Sequence, residues 1–315
     1  MIIPCPENLR EFRRFPLTIT LTALNIFIFV LIFSGSSNDL SNNRLFELEG
    51  MTLTGRLYYQ YLQELPAETL AETPKWVQQI STSNSDQLAI LGAYALRDSH
   101  FLLNGDAGKY HGDQVQIATW REDFKKFRTD YKDQLMFRFG LSSIEKGPLS
   151  WITYQFSHSN WMHLFSNLMF LVVIGAAVEA LVGSTALLAI YVLGGITGGL
   201  GFLMSQGSGV VPMVGASASV SALLAFYCVA QVKARIRYLY FISPMPEHYG
   251  SIYLPTLMII PLFLVADLAN LLAAPEGLGT GVAYAAHLGG SLFGMLGAIA
   301  YRRGMFSKPP VLTEY

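Results

Sequence analysis

The most constraining feature of this sequence is a set of six apolar stretches, each close to the length that a helix needs to cross a bilayer. A span needs roughly 20 mostly apolar residues to cover about 30 Å of hydrocarbon. Charged residues make up only 14% of the 315 residues, whereas soluble domains carry about 25%. The predicted spans are 17–33, 161–181, 185–204, 211–232, 253–273 and 281–301. The predicted fold class is therefore an all-α polytopic membrane protein with six transmembrane helices, and not a disordered chain, a disulfide scaffold or an ordinary cytosolic enzyme.

The positions of lysine and arginine predict the orientation, because cytoplasmic loops carry an excess of these residues. Three basic clusters follow or precede predicted spans: Arg10, Arg13 and Arg14; Lys233, Arg235 and Arg237; Arg302, Arg303 and Lys308. Six crossings place all three clusters on one side, so both termini are predicted to be cytoplasmic. A cleaved signal peptide is the alternative for the first span, but its long apolar run without an A-x-A-like site favours a retained helix.

The chain divides into five predicted parts. They are a cytoplasmic N-terminus (1–16), the first transmembrane helix (17–34), an extracytoplasmic helical insert (35–149), a core of five transmembrane helices (150–303) and a cytoplasmic tail (304–315). The insert carries apolar residues from Ile117 to Leu135 at intervals of three and four, which is typical of a helix. Two interpretations of the insert stay open: a packing cap on the outer surface, or a module that docks a substrate or partner protein. A net charge of −1 gives no basic field to attract nucleic acid.

Polar residues inside the predicted spans are the functional candidates, because burying them in hydrocarbon costs several kcal/mol unless they are paired or hydrated. They form four groups: His163 with Asn167, Ser217, His287, and Asp267 with Asn270. At about 1.5 Å per residue, Ser217 and His287 are each expected roughly 10 Å below the outer ends of their spans. His163 and Asn167 lie one turn apart, on one face of the outward half of their helix.

Small residues beside these groups predict close helix packing. Gly215 and Ser219 flank Ser217, and Gly290 and Gly294 follow His287 at four-residue spacing, a pattern that lets two backbones approach. A serine so placed would be activated by the imidazole, with His163 and Asn167 as donors to an oxyanion. The alternatives are a packing serine, a structural histidine, or a transporter with a site near the midplane of the bilayer.

At these residues the sequence resembles the rhomboid intramembrane serine proteases. Gly215-Ala216-Ser217 is similar to the family's GxS motif, and Ala286-His287 with Gly290 and Gly294 is similar to its AHxxGxxxG helix. The other matching positions are His158, His163-Leu164 and Asn167, which resemble an HxxxxHLxxN signature, Gly175 and Glu179 on the second span, and the lead-in Phe139-Gly140-Leu141. The resemblance covers Phe139 to about Tyr301.

The resemblance implies a rhomboid-like bundle in which Ser217 is the nucleophile, His287 the base, and His163, Asn167 and the Ser217 amide the oxyanion donors. No metal, cofactor or acidic triad member is implied. The sequence departs from the family at Ala218, where glycine is usual, and at Ser221, where many members have an aromatic residue that packs on the histidine ring. Another group must then orient His287. The large insert is a further departure.

The predicted function is therefore cleavage of transmembrane substrate proteins near the outer membrane face by a Ser–His dyad, in a bacterial inner membrane. The fifth span, which contains Pro255 and Pro261, is expected to be a lateral gate, because prolines loosen the hydrogen bonding of a helix. Asp267 and Asn270 are expected to bond a neighbouring helix or reach the interface, and the alternative is that they shape substrate entry. Two other functions stay open: an inactive rhomboid-like binder of membrane proteins, and a transporter.

Overall fold

The computed structural model describes residues 2–4, 14–35, 43–71, 73–133, 135–142, 147–205, 212–241, 248–273 and 282–305. Several residues used in the sequence analysis lie outside these ranges, namely Arg10, Arg13, Val211, Gly281, Lys308 and the tail from 306. The first nine helices are α1 (Pro16–Gly35), α2 (Leu48–Glu64), α3 (Ala67–Ala71), α4 (Lys75–Gln78), α5 (Ser85–Ala95), α6 (Ser99–Asn104), α7 (Gln114–Asp133), α8 (Leu135–Phe139) and α9 (Ser150–Thr153). They are followed by α10 (Trp161–Phe170), a π-helical turn (Leu171–Gly175), α11 (Ala176–Ser205), α12 (Ser217–Ala230), α13 (Thr256–Ala273) and α14 (Tyr284–Arg302).

Each of the six predicted spans overlaps one of these helices, which confirms the all-α polytopic membrane fold. Among the described residues, three helices are long and apolar enough to cross a membrane: Pro16–Ser34, Trp161–Ser205 and Thr256–Ala273. The 45-residue stretch is bent at Gly183, whose φ of 80° and ψ of 168° are not helical. Only glycine adopts such a conformation readily. The residues before the bend form the second predicted span, and the residues after it form the third.

A buried carboxylate joins the start of α1 to the first turns of α11. Glu179 accepts hydrogen bonds from the Leu17 and Thr18 amides at 3.0 and 2.9 Å, and from the Thr18 hydroxyl at 2.7 Å. The Ser184 hydroxyl donates to the same carboxylate at 2.6 Å. The first amides of a helix have no partner within the helix, so Glu179 caps α1 and fixes it against the helix that precedes the Gly183 bend.

The helices between α1 and α8 have a hydrophobic core of their own. Four residues of the predicted stripe, Ile117, Trp120, Phe124 and Phe127, lie on α7 and are buried in this core. The Trp120 indole donates to Thr54 Oγ1 on α2 at 2.9 Å, which satisfies the buried indole donor of α7. Burial and the adjacent Asp98 carboxylate raise the pKa of the Tyr58 hydroxyl well above its usual range.

The start of the fourth predicted span was wrong. The helix begins at Ser217 and not at Val211, because Met213 pairs with Leu141 in an antiparallel bridge and Gly215 has a φ of 119°. The segment from 212 to 216 is therefore not helical where hydropathy predicted helix: Met213 pairs with Leu141, and the chain bends at Gly215 and Ala216. It follows that Ser217 is the first residue of α12, not a residue two turns inside it, and that Gly215 and Ser219 are not on one helix face.

A small antiparallel sheet was also missed by the helical prediction. The strands β1 (Ile2–Pro4), β2 (Arg235–Phe241) and β3 (Tyr249–Pro255) pair in the order β1-β2-β3. β2 starts directly after the turn that ends α12, and β3 leads directly into α13. Arg235, the first residue of β2, pairs with Pro255, the last residue of β3. The basic residues predicted to follow the fourth span therefore lie on this sheet and on the turn before it.

Glycines of α14 pack directly against the backbone of α12. A Cβ atom at Gly290 would collide with the Ala218 carbonyl, and one at Gly294 would collide with the Ala222 carbonyl. Gly290 and Gly294 are four residues apart on α14, and their partners Ala218 and Ala222 are four residues apart on α12. The two helices therefore run in the same direction in a constant register. Without a hydrophobic force between helices in lipid, this close packing is what associates them.

We expect Gly294→Ala to lower the thermal midpoint of the detergent-solubilised protein, because the new methyl must push α12 and α14 apart. Overpacking of this kind costs about 1–3 kcal/mol. Gly297→Ala, one turn along the same helix, is the matched control, since its methyl would meet the Phe226 ring at an ordinary 3.5 Å. Equal midpoints for the two variants in a thermal unfolding assay would contradict the importance of this contact.

Candidate active site

The segment before Ser217 is held in place by backbone pairing. Leu141 and Met213 exchange hydrogen bonds of 2.9 and 2.7 Å, and the Gly215 amide donates to the Tyr154 carbonyl at 2.9 Å. A Cβ atom at Gly215 would lie 2.6 Å from His163 Nε2, so glycine is needed here for space as well as for its positive φ. The chain thus enters α12 along one fixed path, with the His163 ring packed on it.

Ser217 is half-buried and stands in the first turn of α12. Its hydroxyl makes no hydrogen bond to any residue that the structure describes. The carbonyl four residues earlier, that of Met213, accepts from the Leu141 amide, so it is not the partner of a back-bonded serine. The first intrahelical bond of the turn runs from the Val220 amide to the Ala216 carbonyl, which leaves the amides of residues 217–219 without partners inside the helix.

The packing of α12 on α14 brings Ser217 and His287 to the same level. Ala218 lies against Gly290, and both Ala218 and the Ala286 carbonyl approach Gly198 on α11. Ser217 and His287 are the chain neighbours of these two alanines. Ser217 and His287 are therefore on adjacent helices within one helical turn of the same height, and both residues are half-buried.

The second span and the loop before it contribute three polar residues on the other side of the segment before Ser217. The Ala216 amide donates to His158 Nε2 at 3.4 Å, and the His158 and His163 rings meet edge-on with centroids 5.1 Å apart. Asn167 is buried beside Gly215, and its amide donates to the His163 carbonyl at 2.9 Å. His163 and Asn167 thus line the approach to the first turn of α12.

The Ser159 hydroxyl contacts His163 Nδ1 at 3.0 Å and itself accepts from the Asn160 amide at 3.3 Å. A hydroxyl that accepts from one neighbour is free to donate its proton to the other. In the tautomer whose Nδ1 accepts from Ser159, the neutral His163 ring carries its proton on Nε2, the atom that faces Gly215. Sequence patterns gave no sign of this role of Ser159.

His287 is oriented by two residues, Asp267 and Tyr284. His287 Nδ1 lies 3.2 Å from Asp267 Oδ1 on α13, and the Tyr284 ring meets the imidazole edge-on with a centroid distance of 6.3 Å. Asn270 is exposed, and its amide bonds the Ala266 carbonyl of its own helix at 2.8 Å. Of the two polar residues predicted on the fifth span, Asp267 bonds a neighbouring helix and Asn270 does not.

The departure from family pattern at residue 218 has a structural explanation. The Ala218 side chain is buried against Gly198, where a Cβ atom would collide with its methyl group. The extra methyl is thus accommodated by a glycine on α11, on the side of α12 that packs in the bundle. The neighbouring Ser219 hydroxyl is fully buried and donates to Gln155 Oε1 at 3.0 Å, so it is engaged elsewhere.

The chain was compared with protein families and with curated proteins. The family model described as the Rhomboid domain matches residues 146–304, which includes every polar residue described above. The search of curated proteins found no significant match. The match covers just over half of the chain and agrees with the spans and motifs, so this protein is an integral membrane protein that belongs to the rhomboid family.

Proposed function

We propose that the protein is an intramembrane serine endopeptidase in which Ser217 is the nucleophile and His287 the general base. The observation that carries the proposal is the packing register of α12 on α14, in which the Ala218 carbonyl lies against Gly290 and places Ser217 within one helical turn of the height of His287. The Ser217 hydroxyl has no hydrogen-bond partner among the described residues. A serine needs such a base, because its hydroxyl is a weak nucleophile while protonated. The family membership supports the same reaction class.

The oxyanion formed during acyl transfer would be stabilised by donors on two elements. The amides of the first turn of α12 have no intrahelical partner and point toward the helix N-terminus, where the dipole favours negative charge. His163 offers its Nε2 proton beside Gly215, and Asn167 keeps one amide proton after its bond to the His163 carbonyl. Each donor of this kind is typically worth about 10²–10³ in rate.

In the proposed reaction the Ser217 oxygen attacks a peptide carbonyl of a transmembrane substrate. His287 takes the hydroxyl proton, and the same proton passes to the amine nitrogen as the C–N bond breaks. Water then attacks the acyl-enzyme, again with His287 as the base, and releases the new carboxylate and Ser217. No step of this scheme requires a metal or an organic cofactor.

The arrangement of basic residues supports cytoplasmic termini and a site that opens on the opposite face. β1 pairs with Tyr238–Tyr240, so the N-terminal strand lies on the same strand β2 that also carries Arg235 and Arg237. Arg302, at the end of α14, donates to the Val229 carbonyl at the end of α12. These basic segments thus collect at one end of the bundle, whereas Ser217 and His287 occupy the starting turns of their helices. We place the protein in a bacterial inner membrane with its insert outside.

Labelling with a fluorophosphonate probe tests this function. We expect the full-length protein in detergent or lipid to be labelled and Ser217→Ala to be unlabelled, because the probe reacts with an activated serine. Ser219→Ala is the matched control: it removes a hydroxyl two residues away that is bonded to Gln155, and its labelling should persist. Equal labelling of wild type and Ser217→Ala, or no labelling of a folded wild type, would contradict the catalytic assignment.

Cleavage itself is measured by incubation with a panel of tagged single-span proteins. We expect fragments that depend on both Ser217 and His287, cut toward the non-cytoplasmic end of the span. A folded protein that binds members of the panel without Ser217-dependent cleavage would be the inactive binder instead. Ion-coupled uptake into reconstituted vesicles, without probe labelling, would indicate a transporter.

We also expect Gly215→Ala to abolish labelling. Its methyl would lie 2.6 Å from His163 Nε2 at a φ of 119°, and a strained backbone alone costs about 1–3 kcal/mol. Gly304→Ala is the control, because Gly304 has a φ of 73° but no atom within 4 Å of the added Cβ. The measurement is the labelling rate of folded protein, and wild-type labelling of Gly215→Ala would refute the proposed geometry.

A further inference from the structure

A carboxylate on α13 contacts the imidazole proposed to act as the base. Asp267 Oδ1 lies 3.2 Å from His287 Nδ1, and the two side chains are only 13% and 17% exposed. The contact joins α13 to α14 through two residues that are 20 positions apart in the chain. The resemblance to the rhomboid proteases implied a dyad without an acid, so this carboxylate is an addition that the family pattern does not explain.

We propose that Asp267 is a positioning residue for His287, so that the site works as Ser217, His287 and Asp267 and not as a dyad alone. This inference rests on the proposed function, since it assigns a role in orienting the base of that reaction. Asp267 does not touch a substrate. It acts through the imidazole that it bonds.

The physical reason is the choice of tautomer. A neutral imidazole carries one proton on its two ring nitrogens. The neighbouring hydrogen-bond donors and acceptors decide which nitrogen holds it. A carboxylate can only accept, so Asp267 keeps the proton on Nδ1 and leaves the Nε2 lone pair for the Ser217 hydroxyl. After proton transfer the same carboxylate faces a positive imidazolium, which it stabilises.

The departure at residue 221 makes such a residue necessary. Many family members place an aromatic ring on the histidine from that position, and this chain has Ser221. The Tyr284 ring, one turn before His287 on α14, meets the imidazole edge-on and restricts it on one side. Tyr284 does not fix which nitrogen is protonated, and the hydrogen bond to Asp267 does.

The competing explanation is that the Asp267–His287 contact only ties α13 to α14. The two explanations predict different results for conservative variants. If the contact only holds α13 against α14, any side chain at 267 that forms a polar bond to His287 will serve. If the contact positions the base, residue 267 must accept a hydrogen bond from Nδ1 and must not donate one. Asparagine keeps nearly the size of aspartate but can donate its amide proton to Nδ1, which would move the ring proton to Nε2 and remove the base.

The test is the fluorophosphonate labelling kinetics of the full-length protein, with the maximal inactivation rate separated from the probe affinity. We expect Asp267→Ala to lose on the order of 10²-fold in rate, the usual cost of a misplaced catalytic group, with probe affinity unchanged. Asp267→Asn should lose at least as much, and Asp267→Glu should recover at least tenfold of the loss. Asn270→Ala, one turn along α13, is the matched control and should label like wild type.

The ¹⁵N spectrum of histidine-labelled protein, with His287 assigned from His287→Gln, provides a readout that a simple tie would not change. We expect the Nδ1–H tautomer in wild type and the Nε2–H tautomer in Asp267→Asn. Asp267→Asn and Asp267→Glu also carry the test if the alanine variant does not fold, since both keep a polar group at the contact. Equal rates for these two variants, or an unchanged tautomer in Asp267→Asn, would overturn the inference.

The outcomes separate this inference from the proposed function. If folded wild type is not labelled, the proposed function fails and the positioning role fails with it. If wild type is labelled in a Ser217-dependent way and Asp267→Asn reacts at the wild-type rate, only the role of Asp267 is refuted. Lower thermal midpoints with unchanged rates would show that the contact is structural alone.

Discussion

The backbone contact between α12 and α14 is the interaction on which the site depends. Apolar helices in a bilayer gain no hydrophobic free energy by exchanging contacts with lipid for contacts with each other, so their association relies on close packing. Gly290 and Gly294 supply it, because each admits a carbonyl of α12 where a methyl would collide. The repeat of four residues on both helices fixes their register as well as their distance. The level of His287 relative to Ser217 follows from that register, since neither residue bonds the other in the described structure.

The membrane helices were predictable because each one is a long run of apolar residues, which are more stable in hydrocarbon than in water. Their ends were less so. Apolar residues continue from Val211 to Val214 without a polar break, yet the bridge from Met213 to Leu141 keeps residues 212–214 out of a helix. A pairing partner 72 residues away does not alter local hydropathy. The sheet was missed for a similar reason: in β2 the basic residues indicated a loop, and the pairing that defines the strand comes from β3.

The residue types of the site were also predictable, because polar groups in a membrane span are costly and so stand out. Their partners were not. Asp267 and Asn270 lie on one helix and are both polar, but Asp267 faces His287 and Asn270 bonds its own helix. That difference is set by how α13 is rotated about its axis against α14. A sequence states which residues share a helix face, but not which neighbouring helix that face meets.

Ser217 and Ser219 show how position decides the chemistry of one residue type. They lie two residues apart on α12, so they point to different sides of it. Ser219 is fully buried, and its hydroxyl is committed to Gln155. Ser217 is half-buried, has no hydrogen-bond partner among the described residues, and follows a segment lined by His163 and Asn167. The Ser219 hydroxyl is already satisfied inside the bundle and gains nothing by giving up its proton. In the proposed reaction, the Ser217 hydroxyl at the helix N-terminus would pass its proton to the His287 imidazole, and the helix dipole would stabilise the negative charge that forms.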